Sequence, residues 1–103
     1  FNAAGTVLAV GAPSYNGIRG IVYVYTTTNG TWSSTSTYTI TNPNPINNTD
    51  GFGTSIVLDS TGTFITIGAP YYNDSNGRIY IYNNYNLFCY IYEKYNYQKY
   101  YFL

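Results

Sequence analysis

The chain has 103 residues with four basic and four acidic side chains, and only 8% of it is charged. Such a balance leaves no field to gather nucleic acid or an anionic membrane surface. No run approaches the roughly 18 apolar residues of a membrane-spanning helix. With no histidine and one cysteine, Cys89, the chain can form no Ser-His pair, Cys-His pair or internal disulfide. Aromatic residues make up 20% of it. Together with many β-branched residues, they argue for ordered β structure over the first four-fifths.

Thr6–Val10 is a short, continuously apolar run, which predicts a strand buried on both faces. Pro13–Gly20 carries Pro, Asn-Gly and Gly and reads as a loop. Ile21–Tyr25 predicts a second strand, and Asn29-Gly30 predicts a tight hairpin, because both residues tolerate positive φ. Thr31–Ile40 follows as a Thr/Ser-rich strand with Trp32, Tyr38 and Ile40 on one parity. Asn42–Gly51 holds two prolines and several turn formers, so it must leave the sheet. Phe52–Leu58 restarts strand character, Asp59–Gly62 turns the chain, and Phe64–Ile67 is the next strand. Pro70–Gly77 is a loop, Arg78–Tyr82 a strand, and Leu87–Tyr92 a further candidate strand.

The chain repeats itself. Shifting Gly5–Tyr25 by 57 residues lays it on Gly62–Tyr82 without a gap, and ten of the 21 aligned positions are identical. The identities include Gly11-Ala12-Pro13 with Gly68-Ala69-Pro70, Tyr15-Asn16 with Tyr72-Asn73, and Gly20 with Gly77. A fixed period of this kind marks a repeat architecture. The repeat fades after Asn86. Trp32 is expected to recur at position 89, which holds Cys89, and residues 83–103 contain seven of the fifteen tyrosines. Over this C-terminal stretch, a divergent strand followed by a disordered tail competes with translation out of frame. The chain therefore divides into a partial repeat (1–51), a second repeat (52–92) and a divergent tail (93–103).

Four antiparallel strands per unit, with no helical pattern, predict the blades of a β-propeller, a ring of typically four to eight such sheets. A plain β-sandwich is the competing fold. Phe52-Gly53-Thr54-Ser55, an apolar strand, Gly68-Ala69-Pro70 and Gly-x-Ile-Tyr-Ile-Tyr ending at Tyr82 resemble the FG-GAP repeat of integrin α-subunit propellers. Gly30-Thr31-Trp32 makes the chain more similar to FG-GAP repeats of bacterial and viral surface proteins. The expected fold is thus all-β: a fragment, about one and three-quarter blades long, of an FG-GAP-type propeller. Further blades of the same chain are expected on both sides. The resemblance also implies an extracellular or surface location.

Many integrin-type repeats carry a carboxylate-rich calcium loop between their first two strands. Calcium needs six to eight oxygens. Here the matching turns are Asp59–Gly62, with one carboxylate, and Asn2–Gly5, with none. Neither a metal nor another cofactor is expected, and Asp59 reads as a turn residue that accepts a local N–H. Asp50 and Asp74 both fall in loops and are the one conceivable glycosidase-like pair. Loops hold such residues by default, so we expect no catalysis in this stretch.

Strand alternation puts the loops Ser14–Arg19 and Tyr71–Asn76 and the connection Asn42–Asp50 on one face. The resemblance implies partner binding through that face. Tyr15, Tyr71 and Tyr72 would supply flat amphipathic surface, and Asn16, Asn73 and Asp74 hydrogen bonds, a mix suited to a protein or glycan. Asn29, Asn47 and Asn73 begin glycosylation sequons. The expected function is non-catalytic binding or adhesion, with no nucleic-acid partner and no membrane insertion. The alternatives are a structural repeat of a surface or coat layer, and a propeller appended to an enzyme outside this stretch.

Overall fold

A computed structural model describes residues 1–15, 19–43, 50–72, 77–94 and 97–102, with side chains through Phe88. All regular elements among them are strands, arranged in two antiparallel sheets. The first sheet holds β1 (Val7–Ala12), β2 (Ile21–Thr28), β3 (Thr31–Trp32) and β4 (Tyr38–Thr41). Here β2 is central, and β3 and β4 both pair with its far edge. The second sheet runs in chain order through β5 (Ser55–Leu58), β6 (Phe64–Ala69), β7 (Arg78–Asn83), β8 (Asn86–Lys94) and β9 (Tyr97–Phe102).

The sequence repeat is a structural repeat. β1 pairs with β2 from Val7↔Thr26 to Ala12↔Ile21, and β6 with β7 from Phe64↔Asn83 to Ala69↔Arg78. Each pair of the second ladder lies 57 residues beyond its counterpart in the first. Both ladders stop just before Pro13 and Pro70, residues that have no N–H to extend them.

The two sheets share one core. The first contributes Val7, Val22, Val24 and Ile40, and the second Ile65, Ile67, Ala69, Tyr80 and Tyr82. Phe52, on the turn leading into β5, is wholly buried and meets Tyr80 edge to face at 5.4 Å. Each large aliphatic or aromatic side chain removed from water in this way contributes about 1.5–3 kcal/mol. Close approach is possible because glycines face each other. A side chain on Gly11 would run into the carbonyl of Gly53, and one on Gly20 into the carbonyl of Phe52. The Phe-Gly corner of one unit is thus seated on the Gly-Ala-Pro strand end of the other.

Four sequence expectations need correction. Thr6–Val10 is not buried on both faces: Val7 and Ala9 point to the core, while Val10 is 43% exposed. Phe52–Thr54 is a turn rather than the start of a strand, because Gly53 takes φ +94° and Thr54 bonds back to Gly51 through both its N–H and its hydroxyl. Thr31–Ile40 breaks into β3 and β4. Between them Ser33 accepts a bond from the Thr35 N–H, and Thr37 accepts one from the Thr26 N–H. Short hydroxyl side chains compete with the ladder in this manner. Finally, residues 97–102 form a fifth strand on β8, consistent with the high β-propensity of their aromatic residues.

The second hairpin is two residues shorter on each arm than the first, so the 57-residue rule fails beyond it. Its turn is Asn84-Tyr85, both at positive φ, where the first copy has Asn29-Gly30. Trp32 and Leu87 are each the second residue after their turn, but Trp32 pairs with Thr27 whereas Leu87 pairs with Tyr82, the counterpart of Tyr25. A bulge between Ile81 and Tyr82 then shifts the register.

Candidate functional site

The described ends of the three loops assigned to one end of the sheets are bonded to one another there. Each strand-to-strand loop closes with the same bond, Gly20 N–H to Tyr15 carbonyl at 3.1 Å and Gly77 N–H to Tyr72 carbonyl at 3.0 Å. The connection between the sheets is tied to both. The Asn42 amide donates to the Arg19 carbonyl and to the Asp50 carboxylate, each at 3.0 Å. The Asp50 carbonyl in turn accepts the Tyr71 N–H at 3.1 Å. Asn42 and Asp50 are both buried, so these bonds act where water competes poorly.

On this frame Tyr15 and Tyr71 are about half exposed, at 52% and 54%. The Tyr71 ring lies against Gly51, leaving only 2.9 Å for a side chain there. Tyr72 differs from expectation. It is 5% exposed and belongs to the core, with the Arg78 guanidinium 3.9 Å above its ring. It therefore serves as the floor of the loop end rather than as open binding surface. Its repeat partner Tyr15 lies outside the shared core and has Ile21 where Tyr72 has Arg78. Asn16, Asn73 and Asp74 lie outside the described residues. Asp50, wholly buried and bonded by Asn42, faces inward and is not placed for attack on a solvent-borne substrate.

Under the loops sits a polar and aromatic cluster of Asn42, Asp50, Tyr72, Arg78 and Tyr80. Arg78 reaches both rings, the Tyr80 centroid being 5.7 Å away. Such cation–π contacts gain strength when desolvated. Burial pushes the Tyr80 hydroxyl up to about 12, against the opposing pull of the Arg78 charge. Asn42 and Arg78 were not singled out from the sequence. Arg78 carried a signal nonetheless: its repeat partner is the buried apolar Ile21, and a cation at a core position of a repeat needs a local reason.

No protein-family model, curated protein or solved structure matches the chain. Its own geometry is therefore the basis for assigning a function.

The opposite end of the sheets carries the turn residues. Asp59 accepts the Phe64 N–H at 3.0 Å and the Thr61 hydroxyl at 2.9 Å. The Phe64 bond, first among the causes, holds its carboxyl below the ordinary range. Asn2 does the same work in the first copy, its side-chain oxygen accepting the Thr6 and Val7 N–H groups at 2.8 and 2.9 Å. A neutral amide closes the turn as a carboxylate does, so Asp59 reads as a turn residue. Among the described residues no three His, Cys, Asp or Glu side chains group together. Beyond the first hairpin, Trp32 edges a shallow groove lined by Thr26, Thr28, Thr31, Ser33 and Thr37.

Proposed function

We propose that this chain is a non-catalytic FG-GAP-type β-propeller repeat module that binds a protein or glycan outside the cell through its loop end. The observation that carries the reading is the Asn42–Asp50 tie, which gathers three loops on one end and leaves Tyr15 and Tyr71 half exposed on it. Binding surfaces are commonly loops held by a rigid sheet, and tyrosine offers a large contact area at low entropic cost. The in-register repeat and the seating of a Phe-Gly corner on a Gly-Ala-Pro strand end support the propeller reading.

The test uses the labelled chain on a glycan microarray and on purified extracellular-matrix proteins. The double variant Tyr15→Ala/Tyr71→Ala should lose binding while keeping its circular dichroism spectrum. Undiminished binding by that variant would remove the loop end from the proposal. A structural role in a surface or coat layer is the second reading, favoured by the apolar sheet faces described next.

A further inference from the structure

The interface between the two sheets is not symmetric. The first sheet presents Val7, Ala9, Val22 and Val24, and the second presents Ile65, Ile67, Ala69, Tyr80 and Tyr82. Shifted by 57 residues, the first set becomes Phe64, Thr66, Ile79 and Ile81. These lie on the other face of the second sheet, where Phe64 is 39% and Ile79 43% exposed. Shifted back, Ile65, Ile67 and Ala69 become Leu8, Val10 and Ala12, on the other face of the first sheet. Ile65 and Ile67 are fully buried, whereas Val10 is 43% exposed. Each sheet therefore carries both mating faces and uses one. The second sheet keeps an open copy of the receiving face, and the first an open copy of the face that fills it.

We infer that a second copy of this chain docks head to tail, its first sheet laid on the open face of the second sheet. The occupant is argued from the interface already present, since the joint would repeat the same pairing of faces. Phe64 and Phe88, edge to face at 6.3 Å, add aromatic area to the receiving side. Tyr15 agrees with this: it is 52% exposed, while its repeat partner Tyr72 is 5% exposed and belongs to the shared core. At Gly68, the counterpart of Gly11, the Ser55 hydroxyl of the same sheet fills the space that the Gly53 carbonyl takes at Gly11, so a docking neighbour has to turn that side chain aside. A head-to-tail contact of this kind closes into a ring or runs on as a filament. The inference does not depend on the ligand reading above.

Sedimentation velocity of the purified chain over a concentration series tests it. The mass should rise with concentration and pass beyond two chains. Val10→Lys, on one open face, and Ile79→Lys, on the other, should each weaken self-association at least tenfold. An equimolar mixture of the two should form a dimer that grows no further, because each variant retains the face that the other has lost. Thermal melting monitored by circular dichroism checks folding. If a lysine variant unfolds, Val10→Thr and Ile79→Thr replace it, as Thr66 already stands on the receiving face. Three results would overturn the inference: a monomer at every concentration, a mixture that stays monomeric, or association abolished by one variant and untouched by the other. The last result would mean that a face pairs with itself.

Discussion

Gly11 and Gly68 occupy the same position of the repeat, yet alanine should be far worse at the first. At Gly11 the new methyl would overlap the Gly53 carbonyl oxygen, with the carbonyl carbon at 3.0 Å and Ile56 Cδ1 at 3.1 Å. The isoleucine can rotate away, but the carbonyl cannot, because the Gly53 N–H is bonded to the Gly68 carbonyl at 3.1 Å. Relief requires the sheets to part by about 1 Å. A gap of roughly 0.5–1 Å forfeits a quarter to a half of each contact's dispersion energy. Here that loss would fall on Val22, Phe52, Ile65 and Ile67, all fully buried. Overpacking of a tight core costs about 1–3 kcal/mol and sometimes more, and this site belongs at the upper end. At roughly 4–8 °C per kcal/mol for a domain of this size, Gly11→Ala should melt about 10–20 °C below the parent. At Gly68 only the Ser55 side chain is in the way. Gly68→Ala should therefore cost about 1 kcal/mol or less after serine turns aside, with alanine's strand preference over glycine as an offset. Thermal and urea unfolding followed by circular dichroism measures both variants. Equal losses, or a Gly11→Ala variant within about 0.5 kcal/mol of the parent, would refute the sheet-to-sheet reading of the glycine.

Tyr82 is buried, and its hydroxyl has no hydrogen-bond partner among the described residues; burial also pushes its ionisation well above the ordinary tyrosine range. Tyr82→Phe should raise the urea midpoint, because an unsatisfied buried polar group costs about 1–3 kcal/mol; a clear loss of stability would show that the hydroxyl has a partner. Asp59 has its pKa lowered in the folded chain, so it stabilises the fold above the unfolded value near 3.8 and loses that contribution as pH falls through the folded value. Asp59→Asn, which copies Asn2, should flatten the acid limb of stability against pH and leave the turn intact; an unchanged acid limb would count against the Phe64 bond. Asn42→Leu removes donors to Arg19 and Asp50 and should cost about 1–3 kcal/mol, with faster hydrogen exchange at the Tyr71 amide as the local sign. Exchange at Tyr71 no faster than in the parent would mean that the loops are held independently of Asn42.

The β class, the repeat of β1 and β2 in β6 and β7 and the place where β1 and β6 end were legible because they depend on local chemistry. Branched and aromatic runs set β1, β2, β6 and β7, and Pro13 and Pro70 end them whatever surrounds them. The gathering of loops was legible for the same reason, since strand alternation alone sends Pro13–Gly20 and Pro70–Gly77 to one end. Failures came where a residue's role depends on a neighbour distant in sequence. The shortened second hairpin is one case. Nothing in Asn84-Tyr85 announces a turn as Asn-Gly does, and positive φ at tyrosine is uncommon. Tyr85 is held there by packing: it stacks on Tyr38 of the other sheet at 4.2 Å, and its hydroxyl donates to the Gly62 carbonyl at 3.2 Å.

Tyr15 and Tyr72 show why the binding surface was the hardest feature to read. Both follow Gly-Ala-Pro by one residue, both precede Asn, and both accept the same loop-closing N–H. The shared motif does not separate them. What separates them is Arg78, placed where the first copy has Ile21, and the membership of Tyr72 alone in the shared core of the described residues. A repeat thus presents identical side chains in two environments, and exposure follows from position in the stack rather than from the motif. The same logic ties the loop end to the open faces. If a further sheet covered the outer face of β1 and β2, Tyr15 would be expected to sink towards the state of Tyr72. Tyr71 would then remain as the exposed aromatic of its loop. Assembly and ligand contact would accordingly compete for Tyr15 but not for Tyr71.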